Sequence, residues 1–173
     1  LSGPAITALN EGARRGGFAH DTGEGAVSPY HLQGGDLVWE IGTAYFGCRT
    51  ADGGFNPDRF AELCRQTDAI KLISIKLSQG AKPGLGGVLP GEKVTQEIAD
   101  TRGVPVGQTV VSPGYHSAFD GPKGLVDFVV RLRELSGNLP TGFKLCVGER
   151  AQFLAVLRAM IAADAYPDFI IVD

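Results

Sequence analysis

Two lysines lie within apolar strand-like runs, where an unpaired positive charge is costly. Lys76 belongs to the run 69–78 and Lys144 to the run 142–147. Removing an ammonium from water costs several kcal/mol, so each lysine must meet an anion. Strand alternation places both lysines on the same face as Glu40 of the run 37–45. The anion is therefore either Glu40, in a buried structural pair, or a bound carboxylate, phosphate or reduced flavin.

Further polar residues follow the ends of the strand-like runs. In chain order they are Asp21, Thr22, Glu24, Tyr45, Gln79 and His116. In barrels of parallel strands the active site collects at this end. His116 by itself predicts only a solvated or capping residue. Neither a Ser/His/Asp order nor a metal-ligand spacing such as HExxH is present, so no catalytic residue and no metal site is assigned.

A glycine- and proline-rich loop follows the run that contains Lys76. It carries glycines at positions 80, 84, 86 and 87 and prolines at positions 83 and 90. Glycine frees the backbone, whereas proline fixes φ. The composition predicts a loop that can rearrange, as lids and ligand clamps do, or alternatively a long surface connection.

Strands and helices alternate along the chain. Strands are predicted over 18–22, 37–45, 69–78, 109–112, 142–147 and 168–172, with helices starting near residues 2, 56, 92, 122 and 149. Such repeats indicate parallel strands, in either an open doubly wound sheet or a (β/α)8 TIM barrel. The strands are apolar on one face and polar on the other near their ends, which favours the barrel. About six of its eight strands are expected within these residues.

Composition excludes several classes of protein. The 173 residues are 43% hydrophobic and 20% charged, which fits one globular core. A net charge of −3 gives no basic footprint for nucleic acid, and no apolar run is long enough to span a membrane. Three widely spaced cysteines, Cys48, Cys64 and Cys146, are typical of reduced thiols in a cytoplasmic protein. Because the chain starts without Met and stops on a strand, we expect a piece of a larger protein.

Several stretches resemble the FMN-dependent synthase domain of glutamate synthases, and together they span nearly the whole chain. The stretch IKLSQGAKPGLGGVLPGEKV resembles that family's loop QGAKPGEGGQLPGxKV, and the first 25 residues align with its segment ending in NTGEGG. IADTRGVPVGQTVVSP resembles its IAxxRxxxPGxxLISP, GFKLCVG its SVKLV strand, and PDFIIVD the strand before its DGGTG phosphate loop. YFGCRT and SPGYHSAF favour the single-barrel, glutamate-synthase-related branch.

This resemblance implies that residues 1–173 are part of one FMN-binding barrel domain. The family reduces 2-iminoglutarate, formed from 2-oxoglutarate and ammonia or glutamine-derived ammonia, to glutamate. The positions that match its flavin site are Lys144, Asp21, Thr22 and Glu40, and those that match its substrate site are Lys76, Gln79 and Glu24. The terminal strands, the phosphate loop, any iron–sulfur cysteines and an electron-donor subunit would lie outside the chain. The fragment alone is therefore expected to be inactive.

Four positions depart from the family pattern. Pro4 stands where the family has a Glu associated with substrate, and Leu85 replaces a Glu of the loop. Glu40 and Tyr45 stand where the large enzymes have Gln and Arg. Two alternatives therefore stay open: a flavin barrel that acts on another amino or hydroxy acid, and a non-catalytic flavin-binding relative.

Overall fold

The computed structural model describes residues 2–82 and 84–173, so Pro83 of the glycine-rich loop lies outside the described residues. Five strands form one parallel sheet in the order β1-β2-β3-β6-β7. Their bounds are β1 His20–Asp21, β2 Leu37–Ile41, β3 Ile70–Lys76, β6 Thr141–Leu145 and β7 Ile170–Val172. A separate antiparallel ribbon pairs β4, Val88–Leu89, with β5, Val110–Val111.

Among the described residues, five α-helices connect or flank these strands. They are α1 Gly3–Gly16, α2 Pro57–Gln66, α3 Gln96–Arg102, α4 Gly121–Leu135 and α5 Arg150–Ala163. The start of α2 is the predicted one: Asn56 Oδ1 accepts the backbone N–H groups of Asp58 and Arg59, and proline occupies the first helical position. Gly17, with φ of 68°, ends α1 in the left-handed region.

The order of the parallel strands distinguishes between the two predicted architectures. In a doubly wound sheet the strand order reverses at a switch point. Here the strands of the sheet follow one another in chain order without reversal. The curled five-stranded sheet is thus compatible with part of a barrel, and the predicted α/β class with a parallel sheet is confirmed.

A strand forms within the predicted run 109–112, but its predicted place as the fourth strand of the barrel is wrong. Residues Val110–Val111 leave the parallel sheet and pair antiparallel with the glycine-rich loop, while β3 pairs directly with β6. Val111 is exposed, unlike a barrel strand that is covered on both faces. The pairing depends on Gly86, whose Cβ, if present, would lie 1.7 Å from the carbonyl oxygen of Ser112.

The two faces of the sheet differ as the alternation predicted. Helix α4 packs against β3, β6, α2 and α5 on the apolar face. The core there includes Leu37, Trp39, Ile41, Phe60, Ile73, Ile75, Phe128, Leu132, Phe143 and Met160. Each such side chain contributes about 1.5–3 kcal/mol by burial. The opposite, inner face is left for polar residues.

Within residues 2–82 and 84–173 no helix has both the length and the apolar character that crossing a membrane requires.

Candidate functional site

Charged residues line the inner face of the sheet near the C-terminal ends of β2, β3 and β6. Glu40 lies opposite Ser74 in the strand register, and Ser74 lies opposite Gly142. Two residues further along, Lys76 lies opposite Lys144. Because residues i and i+2 of a strand share a face, Ser74 and Lys76 belong to the same side of the sheet. Both predicted lysines are therefore brought together.

Lys144 and Glu40 form a close ion pair. The Glu40 side chain is 2% exposed and that of Lys144 is 19% exposed. Burial raises the pKa of Glu40, although the hydrogen bond from Lys144 opposes this shift. Burial would lower the pKa of Lys144, but the hydrogen bond and charge of Glu40, together with the charges of Asp21 and Asp173, raise it overall. The lysine therefore remains an ammonium at neutral pH.

Lys76 pairs with a second carboxylate. Its Nζ lies 3.1 Å from Glu24 Oε1. Glu24 reaches this position over Gly42, where a Cβ would lie 2.8 Å from the Glu24 side chain. The prediction that two lysines face a single carboxylate and leave positive charge over is wrong, because the loop after β1 supplies the missing counter-charge.

The predicted residues at the end of β1 lie beside the same pair. Asp21 Oδ1 accepts the N–H of Gly23 at 2.8 Å, and its charge raises the pKa of Glu40. Thr22 Oγ1 accepts the backbone N–H of Glu40 at 3.0 Å. All four residues predicted for the flavin thus lie at one edge of the sheet. Asp21 and Thr22 come from the end of β1, Glu40 from β2 and Lys144 from β6.

The three residues predicted for the substrate line one small cavity beneath the glycine-rich loop. Lys76, Gln79 and Glu24 form one side of it, and loop residues 82 and 84–87 form the other. Its volume of about 30 Å³ has room for about two water molecules. The loop is held down at Gly80, whose N–H donates to Asp173 Oδ2 at 2.7 Å. The structure thus has the loop closed over the predicted site.

A second cavity, which shares the lining residues Glu24, Lys82 and Gly87 with the first, was missed by sequence reasoning. Its volume is about 240 Å³, and its charged lining residues are Glu24, Lys82 and Arg102. The Arg102 guanidinium carbon lies 4.8 Å above the centre of the Phe46 ring, and burial lowers its pKa while Glu24 opposes the shift. The arginine of the IADTR motif was the available signal, but its position beside Glu24 depends on how α3 packs.

Tyr45 and His116 line neither the small cavity beneath the loop nor the second cavity. Tyr45 is fully buried, and His116 is 5% exposed behind the end of β3. Of the two alternatives predicted for His116, solvated or capping, the solvated one is therefore wrong, whereas its Nε2 does bond the backbone carbonyl of Lys76, the last residue of β3. Pro4 and Leu85 are both exposed, and of the two only Leu85 lines the small cavity beneath the loop.

Comparison with known proteins places the chain in a family. A family model described as a conserved region in glutamate synthase matches residues 1–173. A glutamate synthase large subunit-like protein of Bacillus subtilis is 39% identical over 171 residues, which is 98% of this chain and 32% of that protein. The archaeal-type NADPH glutamate synthase of Thermotoga neapolitana is 31% identical over 172 residues, which is 98% of this chain and 30% of that protein.

An archaeal NADPH glutamate synthase of Methanocaldococcus jannaschii is 43% identical over 94 residues, which is 54% of this chain and 18% of that protein. The chain spans about a third of the length of the first two of these relatives. With the whole chain matched by the family model, and with relatives of 31–39% identity along nearly all of it, this chain belongs to the glutamate synthase family.

Proposed function

We propose that the protein containing this chain is a cytoplasmic, FMN-dependent oxidoreductase of the glutamate synthase type. It would convert 2-oxoglutarate and ammonia through 2-iminoglutarate to glutamate, within a (β/α)8 barrel that segments outside this chain complete. The observation that carries the proposal is the pair of lysine–glutamate contacts at one edge of the sheet, beneath a glycine-rich loop. An electron-donor subunit and an iron–sulfur cluster would be supplied from outside residues 1–173.

The residues at the ends of β1, β2 and β6 fit an edge of a flavin ring. Lys144 offers a partly exposed ammonium, and the inner face also carries Ser74 Oγ, a buried atom without a hydrogen-bond partner among the described residues. Lys144, Asp21, Thr22 and Glu40 would hold the ring from this side. FMN, when bound, supplies the hydride for imine reduction. A fixed ammonium stabilises negative charge that develops beside it in a site of low dielectric.

The cations around Glu24 fit a dicarboxylate. Lys76 pairs with Glu24 in the small cavity beneath the loop, Arg102 lines the second cavity with Glu24, and Lys82 lines both cavities. A five-carbon diacid carries two carboxylates that two such cationic points can bind, which fixes the orientation of the carbon between them. Gln79 would add an amide at the first point. Because the cavity at Lys76 holds only about two water molecules, the loop must open for entry and then exclude water.

A spectroscopic titration of the full-length protein tests the reaction. The oxidised protein should show flavin bands, and the photoreduced protein should regain them anaerobically only when 2-oxoglutarate and ammonium are both present. Reoxidation by another imino or keto acid alone would favour a different substrate. A flavin that no such pair reoxidises would favour a non-catalytic relative, and a protein without flavin would contradict the proposal.

A matched pair of variants tests the substrate site. Lys76→Met removes the ammonium at the end of β3, whereas Lys71→Met removes an exposed one near the start of the same strand. We expect the first to weaken 2-oxoglutarate binding by about tenfold or more, as a lost charge-assisted hydrogen bond does. The second should leave binding unchanged. Equal effects of both variants would remove Lys76 from the site.

A further inference from the structure

A series of buried and partly buried hydrogen bonds links the loop after β2 to the end of β3. His116 Nε2 lies 2.8 Å from the carbonyl oxygen of Lys76, and His116 Nδ1 lies 3.0 Å from the hydroxyl of Tyr45. The same hydroxyl accepts the backbone N–H of Ala118 at 3.0 Å. The imidazole stacks on Phe119 with ring centres 5.1 Å apart. Three separate segments thus meet at one histidine.

The direction of each hydrogen bond follows from its partners. A carbonyl oxygen only accepts, so His116 Nε2 must carry the proton and donate it to Lys76. In the neutral ring Nδ1 then accepts, and the Tyr45 O–H is the donor that faces it. Burial lowers the pKa of His116, which favours this neutral form. In this arrangement every hydrogen bond of the series that links Lys76, His116, Tyr45 and Ala118 has one donor and one acceptor.

These hydrogen bonds hold the peptide unit between Lys76 and Leu77. His116 bonds its carbonyl oxygen, and the carbonyl oxygen of Lys144 accepts the N–H of Leu77 at 2.8 Å. The unit is thus fixed from both sides at the point where β3 ends. Its orientation determines where the Lys76 side chain leaves the backbone and hence where its ammonium meets Glu24.

We propose that His116 and Tyr45 are positioning residues that hold Lys76 in place to bind the substrate carboxylate. Neither residue lines the cavity that Lys76 lines. This inference rests on the proposed function, in which Lys76 binds 2-oxoglutarate. It assigns a role in that function to two residues that lie 71 positions apart in the chain and outside the cavity.

The test uses the full-length flavoprotein and measures the Kd of 2-oxoglutarate by calorimetry. His116→Phe keeps an aromatic ring beside Phe119 but removes both hydrogen bonds. We expect the Kd to rise about tenfold, with kcat changing much less, because the bond from Lys76 to substrate acts in ground state and transition state alike. His116→Gln keeps a donor for the Lys76 carbonyl and should restore most of the affinity.

A double-mutant cycle separates positioning from general destabilisation. If His116 acts through Lys76, His116→Phe should change the Kd by less than about twofold when Lys76→Met is already present. Leu132→Ala, a buried change in α4, is the control, because it should lower stability without changing the Kd.

An equal loss in both backgrounds, or an unchanged Kd in His116→Phe, would overturn the positioning role and leave the proposed function standing. If Lys76→Met itself has no effect on binding, the proposed substrate site fails, and the positioning role falls with it.

Discussion

The buried pair of Glu40 and Lys144 allows a stability prediction with a defined magnitude. Glu40→Gln removes one charge with almost no change in shape, and the Lys144 side chain, 19% exposed, loses its carboxylate. Removing one partner of a buried pair typically costs about 3–5 kcal/mol. Neutralising an ordinary lysine at pH 7 costs about 5 kcal/mol, which sets the upper limit. Because part of Lys144 reaches solvent, we expect about 3 kcal/mol.

Hydrogen exchange measured by mass spectrometry on peptides that cover β2 and β6 reports this change locally. A loss of about 3 kcal/mol should speed exchange there by roughly 10²-fold. Adding Lys144→Met should restore most of the protection, since methionine needs no counter-ion. The exposed pair of Lys123 and Asp127 is the control, and Asp127→Asn should change exchange very little. Equal protection in the single and the double variant would refute the reasoning.

Three further predictions concern the loop, His116 and a helix cap. Gly86→Ala should force the loop away from Ser112, because the new Cβ would lie 1.7 Å from the Ser112 carbonyl oxygen, and proteolysis within 79–90 should become faster. Gly87→Ala is the control and should not change proteolysis, because its Cβ would lie 3.8 Å from the nearest atom, Ser112 Oγ. Burial lowers the pKa of His116 below 6.5, so the histidine of the unfolded state is protonated first as the pH falls. Thermal stability should therefore decrease as the pH drops below 6.5, and a melting temperature that does not change with pH there would contradict this. Asn56→Ala should destabilise α2 by about 1 kcal/mol, measured by exchange of its first-turn amides, since two N–H groups lose their acceptor.

The faces of the sheet could be predicted from sequence because alternation is a local property. Ile73 and Ile75 are fully buried against the helices, whereas Ser74 and Lys76 lie on the opposite side. The run 109–112 gave no such signal, since two apolar residues do not determine a partner. Its pairing with the loop depends on the close approach of the Gly86 backbone to Ser112, more than twenty residues away in the chain. Neither strand alternation nor the resemblance to the family predicts that contact.

The site was predictable to the extent that buried charge is costly. A lysine in an apolar strand requires a counter-ion whatever the rest of the fold is, so Lys76 and Lys144 could be identified as site residues from sequence. Strand alternation also named Glu40 as a candidate partner, and Lys144 pairs with it. The partner of Lys76 depends instead on the conformation of the loop after β1, and Glu24 was therefore assigned to the substrate and not to Lys76. The contact of His116 with Tyr45 joins residues whose types are ordinary in loops, and only the packing of those loops makes it visible.

Glu24 determines how a ligand can enter this arrangement. Without substrate it neutralises Lys76, whose side chain is only 12% exposed and would otherwise lie largely buried without an anion. In the proposed reaction, a substrate carboxylate at Lys76 takes the place of the Glu24 carboxylate, so the contact that Glu24 gives up offsets part of the affinity gained at Lys76. A second substrate carboxylate near Arg102, in the cavity that Glu24 and Lys82 also line, would supply further affinity that a monoacid lacks. Diacids should therefore bind far better than monoacids, although Lys76 alone could bind either.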